Sequence, residues 1–119
     1  MTAIGNEAEL LSALMKNAVD LCKQNQGWNI ALNMMGLLGS PEVKVFYDNS
    51  VVCMFGGEDI SILMDEAVTY LIHATHAPGT PTDWSRFTYC NTCNAAPMCP
   101  CRGQGDKPIE APHPGRLRF

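Results

Sequence analysis

Val43-Lys44-Val45-Phe46-Tyr47-Asp48-Asn49-Ser50-Val51-Val52-Cys53-Met54-Phe55 carries the clearest β signal in the chain. Two runs rich in β-branched and aromatic residues flank three residues that tolerate a tight turn, so the stretch predicts a β-hairpin. Ser40-Pro41-Glu42 just before it has the chemistry of a helix start. The β-branched run that follows outweighs that signal.

Helical patterns lie on either side. Leu10, Leu11, Leu14, Met15, Ala18, Leu21 and Cys22 recur at three and four residues, Asn6 and Glu9 have the spacing of a capping pair, and Gly27 is placed to end the helix. An amphipathic helix is expected over roughly 6–25, with Glu7, Lys16, Asp20 and Lys23 in solvent. Beyond the hairpin, Ile60, Leu63, Met64, Ala67, Val68, Leu71, Ile72 and Ala74 predict a second helix over about 59–75, with acidic residues at its positive end. Residues 28–38 fit two patterns. Trp28, Ile30, Leu32 and Met34 alternate as in a strand, whereas Trp28, Leu32, Met35 and Leu38 make a helical stripe. The Asn, Ala and Met content tips the reading to a short buried helix. The expected class is therefore α+β: two or three helices packed on a small antiparallel hairpin or sheet.

From Ala77 the character changes. All eight prolines except Pro41 fall in the last 42 residues, which cannot sustain long regular elements or a core of their own. The chain thus divides into a body, 1–77, and a Cys/Pro-rich tail, 78–119, within one structural unit, since 119 residues suffice for a single core.

The tail holds the most specific chemical signal, four cysteines within twelve residues: Cys90, Cys93, Cys99 and Cys101. Cys90-Asn-Thr-Cys93 can aim two thiolates at one point from a tight turn. Cys99-Pro100-Cys101, held extended by its proline, can project two more to one side. A zinc-knuckle-like site with structural Zn²⁺ follows, with Cys90, Cys93, Cys99 and Cys101 as ligands. Zinc on three of the cysteines plus His113, His76 or His73 is the alternative set. Ferredoxin-type spacings differ from this one, and Pro97 and Pro100 spoil the helix start that a redox Cys-x-x-Cys pair needs. Cys22 and Cys53 read as buried thiols on apolar faces.

Charge restricts the function. Residues 1–77 carry nine acidic side chains and three lysines, net −6, whereas 78–119 carry three acidic and five basic, net +2. An acidic body weighs against general nucleic-acid affinity, which draws on Lys and Arg to displace counterions. The charged fraction of 17% is low and leaves polar surface short, as burial in a homo-oligomer or against a partner would explain. No run of apolar residues is long enough to span a membrane, and the first residues lack the pattern of a secretory signal, so a reducing cytoplasm is the expected compartment.

Trp84, Arg86, Phe87 and Tyr89 precede the first cysteine, and Arg102, Arg116, Arg118 and Phe119 follow the cluster; these eight are the expected partner-binding residues, although packing of the cysteine loop onto its domain is the commoner role for Trp84, Phe87 and Tyr89. His73 and His76, near Asp65 and Glu66 on one helical stripe, could be imagined to hold a catalytic metal, but a solvated helix face is the commoner meaning. Gly103-Gln-Gly105-Asp-Lys107 lacks the strand and helix of a phosphate loop and reads as a turn. The leading expectation is a small non-enzymatic regulatory or adaptor protein acting through protein–protein contact, of the size of accessory proteins of viruses and mobile elements. A nucleic-acid-binding zinc module and a small metal- or thiol-dependent enzyme are the alternatives.

Overall fold

A computed structural model describes residues 3–34, 39–77, 79–109 and 111–119, leaving aside the side chains of 3–8 and 106. The order of elements is α1 (Ala3–Gln24), β1 (Trp28–Asn33), β2 (Glu42–Tyr47), β3 (Ser50–Gly56) and α2 (Ile60–His76), followed by an irregular segment with two short 3-10 turns, Trp84–Arg86 and Gln104–Asp106. The fold is α+β, with two helices and a three-stranded antiparallel sheet in the order β1-β2-β3.

The hairpin forms where its sequence requires. Tyr47 pairs with Ser50, and the two residues between them, Asp48 (φ 52°) and Asn49 (φ 67°), both take the left-handed conformation of a tight hairpin turn. The register shifts between Val45 and Phe46, where Val45 opposes Cys53 and Phe46 opposes Val51. Val52 is thus an extra residue in β3, and this bulge is why the consecutive Val52 and Cys53 are both buried.

Residues 28–33 are a strand and not the short helix expected from their composition. Trp28, Ile30 and Leu32 alternate with the exposed Asn29, Ala31 and Asn33, and each pairs with β2, as Ile30 does with Val45 and Leu32 with Val43. Pairing with a ready-made hairpin overrides the weak β-propensity of Asn and Ala. Met35 and Leu38, the other half of the helical stripe, lie outside the described residues. α1 also begins earlier than expected, at Ala3, so Asn6 lies inside the helix and does not cap it. Its far end is closed by Asn25, whose side-chain amide donates to Leu21 O, and Gly27 makes the turn into β1 at φ 95°. Lys16 and Lys23 are exposed and Asp20 half-buried; the side chain of Glu7 lies outside the described residues.

α2 starts at Ile60, so Asp59, expected inside the first turn, caps the helix instead: its carboxylate accepts from the N–H groups of Ser61 (3.0 Å) and Ile62 (3.4 Å). Leu63, Met64, Ala67, Val68, Tyr70, Leu71 and Ala74 form its buried face. The helices pack on each other and on the sheet, α1 against β1 and α2 against β2 and β3. Val43, Val45, Cys53 and Phe55 share one buried cluster with the inner face of α2, where Tyr70 sits 6.3 Å ring to ring from both Phe55 and Trp28.

The tail joins this core. Trp84 is fully buried, and Phe87, Cys90, Ala95 and Cys101 belong to the same apolar cluster as the sheet and helices. The N–H of Met54 on β3 donates to Met98 O, so the tail also covers the β3 edge. Among the described residues no helix is long and apolar enough to cross a membrane.

Candidate metal centre

Three short pieces of the tail converge on one point. The first is the loop around Cys90 and Cys93. The N–H of Asn94 donates to Cys90 O at 2.8 Å and that of Cys90 to Ala95 O at 3.0 Å, a closure that puts Asn94 at φ 61° and aims both sulfurs inward. The second is a miniature hairpin: Arg102 bridges Pro108, Gly103 N–H donates to Lys107 O, and Ile109 N–H donates to Cys101 O. Its first strand carries Cys101 and its second leads to His113. The third is the turn Pro112-His113-Pro114-Gly115, closed by Arg116 N–H to His113 O with Gly115 at φ 84°.

The donor atoms of Cys90, Cys93, Cys101 and His113 all lie within 4.8 Å of one another. Zn–S bonds of about 2.3 Å and Zn–N bonds of about 2.0–2.1 Å at tetrahedral angles require donors about 3.6–3.8 Å apart. Cys90 Sγ and His113 Nδ1 are 3.7 Å apart. The four groups could hold a metal ion, and they form the one such cluster of His, Cys, Asp or Glu found among the described residues. Cys90 and Cys101 are buried and the other two half-buried.

The surroundings suit sulfur anions. The backbone N–H of Arg102 points at Cys93 Sγ (3.3 Å), that of His113 at Cys101 Sγ (3.4 Å), and the Arg116 guanidinium donates to Cys101 Sγ at 3.2 Å. Burial pushes the Cys90 thiol up, but the Cys93 N–H, the His113 ring, the Thr92 N–H and Cys101 outweigh it and bring it down to about 6. Cys101 stays above the ordinary thiol range, because burial outweighs the help of the His113 N–H and Arg116 while Cys90 and Cys93 crowd it.

Cys99, expected as a ligand, is not one of the four converging residues. The tail pairs with β3 through Met98, and that pairing carries the Cys99 side chain to the sheet, where its thiol donates to Met54 O. Burial pushes this thiol up to about 11, so it remains protonated at neutral pH. The left-handed Met98 (φ 68°) turns the chain just before Cys99, and the one-residue spacing to Cys101 does not direct both sulfurs to one side. His113 occupies the fourth corner. Its signal in the sequence is faint, a lone histidine between two prolines, and only the Cys101–Ile109 pairing shows why it arrives there.

His73 and His76 are exposed on α2, and the His76 ring bonds to Ile72 O at 2.6 Å. Of the eight residues expected to face a partner, Trp84, Phe87 and Arg116 are buried and present no surface. Arg102 is half-buried in an ion pair with Glu66 of α2, which fastens the miniature hairpin to the body. Arg86, Tyr89, Arg118 and Phe119 are exposed, and Leu117, which was not among the expected eight, is 71% exposed beside them. The strand-like alternation of the last residues explains the sorting: Arg116 turns in, Leu117 and Phe119 turn out, and the exposed Arg118 lies along the Phe87 ring.

No known protein family matches the chain, nor does any curated protein or solved structure.

Proposed function

We propose that this chain is a small non-enzymatic binding protein of the cytoplasm in which a structural Zn²⁺ on Cys90, Cys93, Cys101 and His113 fixes the tail so that it engages a protein partner. The observation that carries the reading is the convergence of four donors, from three loops separated by up to 23 residues, to within 4.8 Å of one another, with Cys90 Sγ and His113 Nδ1 3.7 Å apart. Three soft thiolates and one imidazole suit zinc. Four protein ligands leave no open position for a reacting water, which favours a structural ion over a catalytic one. Exposed His73 and His76 give the enzyme alternative no enclosed site, and the acidic body opposes nucleic acid.

The partner-facing surface in this reading is Arg86, Tyr89, Leu117, Arg118 and Phe119, apolar and basic side chains standing on the metal-tied segment. Self-association is a second reading, favoured by the exposed Leu10, Met15 and Val19 of α1 and Ile72 of α2, which are 40–53% accessible. Native mass spectrometry with elemental analysis tests the metal and the subunit count together. One zinc per chain is expected; metal-free protein that keeps the tail folded would end the proposal.

A further inference from the structure

Arg116 makes three side-chain hydrogen bonds within the tail. Its Nε donates to Thr88 O at 2.8 Å, one terminal nitrogen to Ala96 O at 3.0 Å, and the other to Cys101 Sγ at 3.2 Å. The guanidinium also lies 5.4 Å from the Trp84 ring centre and 5.5 Å from that of Phe87. One planar cation thus touches a metal-site sulfur, both walls of the loop around it and the aromatic floor beneath. Three thiolates on a divalent ion leave one uncompensated negative charge, and Arg116 is the buried cation placed against it.

Immediately after Arg116 the chain pairs with 86–88. Thr88 N–H donates to Leu117 O at 2.9 Å, Phe119 N–H to Arg86 O at 2.8 Å, and Phe87 faces Arg118, whose guanidinium stacks 4.9 Å from its ring. This two-stranded ribbon turns Leu117 (71% exposed) and Phe119 (78% exposed) outward. Phe87 and Arg116 anchor it toward the interior.

We infer that Arg116 is a positioning residue that links metal occupancy to the surface: by answering the charge of the loaded thiolate site it locks the ribbon and so presents Leu117, Arg118 and Phe119. The inference rests on the zinc reading above and adds the residue that transmits it. Outer partners of metal ligands typically change metal affinity by 10–100-fold when lost.

The test compares wild type with Arg116→Met, which keeps the apolar stem, and Arg116→Lys, which keeps the charge without the fork. Zinc affinity is read by competition with a chromogenic chelator, and amide exchange is followed at Thr88 and Phe119 with Val68 and Leu71 of α2 as controls for the fold. In wild type, removing zinc is expected to speed exchange at Thr88 and Phe119 while Val68 and Leu71 stay protected. Arg116→Met is expected to bind zinc 10–100-fold more weakly and to exchange fast at both ribbon amides even when zinc-loaded, with Arg116→Lys between it and wild type. Should the Met variant unfold the controls too, the Lys variant carries the test on the same two readouts. Wild-type affinity with protected ribbon amides in the variants overturns the role of Arg116 alone. Wild-type protein that takes up no zinc overturns the metal reading and the coupling with it.

Discussion

Cys99 and His113 are the two residues at which spacing and folding disagree, and they give the sharpest substitutions. Cys99→Ser preserves a donor to Met54 O and removes no converging ligand, so the purified variant should retain one zinc per chain by elemental analysis. His113→Ala removes a corner of the tetrahedron and should lose zinc to a chelator that wild type resists. Acid should act on the same site. Zinc binding displaces protons from thiols, so affinity falls as pH falls. Cys90, held down to about 6, is already a thiolate at neutral pH and competes for a proton only below that value. A titration of zinc affinity against pH should therefore steepen below about 6; a flat profile would contradict thiolate ligation. The Cys90 and Cys93 pair was legible in the sequence because its spacing is local. The choice between Cys99 and His113 was not, because it depends on Met98 pairing with β3 and on Cys101 pairing with Ile109, contacts made across the fold.

At the scale of elements, the parts that announced themselves were those whose local chemistry and burial agree. The hairpin has its β-branched runs and turn-forming Asp48-Asn49, and α2 has its apolar stripe. β1 was missed since its Asn and Ala carry no strand preference and only its neighbour β2 makes it a strand. The miniature hairpin that brings Cys101 to His113 has its own tight point at Gly103. A Cβ there would stand 2.7 Å from Ile109 Cγ2, a methyl on a stiff β-branched side chain. Gly103→Ala should cost about 1–3 kcal/mol, the usual range for overpacking, and weaken zinc binding. Gly56→Ala, with open space at its Cβ, is the control that should melt like wild type. Thermal melts of the two variants with zinc present check the contrast.

For the whole molecule, the physical problem is a segment with seven prolines that buries Trp84, Phe87, Cys90 and Cys101 in the common core. Its backbone makes few regular hydrogen bonds, and an ion with an apparent binding energy of roughly 10–16 kcal/mol in small zinc domains is a sufficient replacement. Chelation should then lower the melting temperature by an amount on the order of 10 °C, restored by added zinc, since a ligand at a thousand times its Kd contributes about 4 kcal/mol. A melt indifferent to chelator would leave the tail held by packing alone. The division into a patterned body and an irregular tail was readable from proline and cysteine content, as was the packing of Trp84 and Phe87 beside the cysteine loop. The inward turn of Arg116 was not, because it follows from contacts with Thr88, Ala96 and Cys101. X-ray absorption at the zinc edge tests the central claim most directly. It should give three sulfur neighbours at about 2.3 Å and one nitrogen at about 2.0–2.1 Å. A shell of four sulfurs, or one dominated by oxygen and nitrogen, would contradict it.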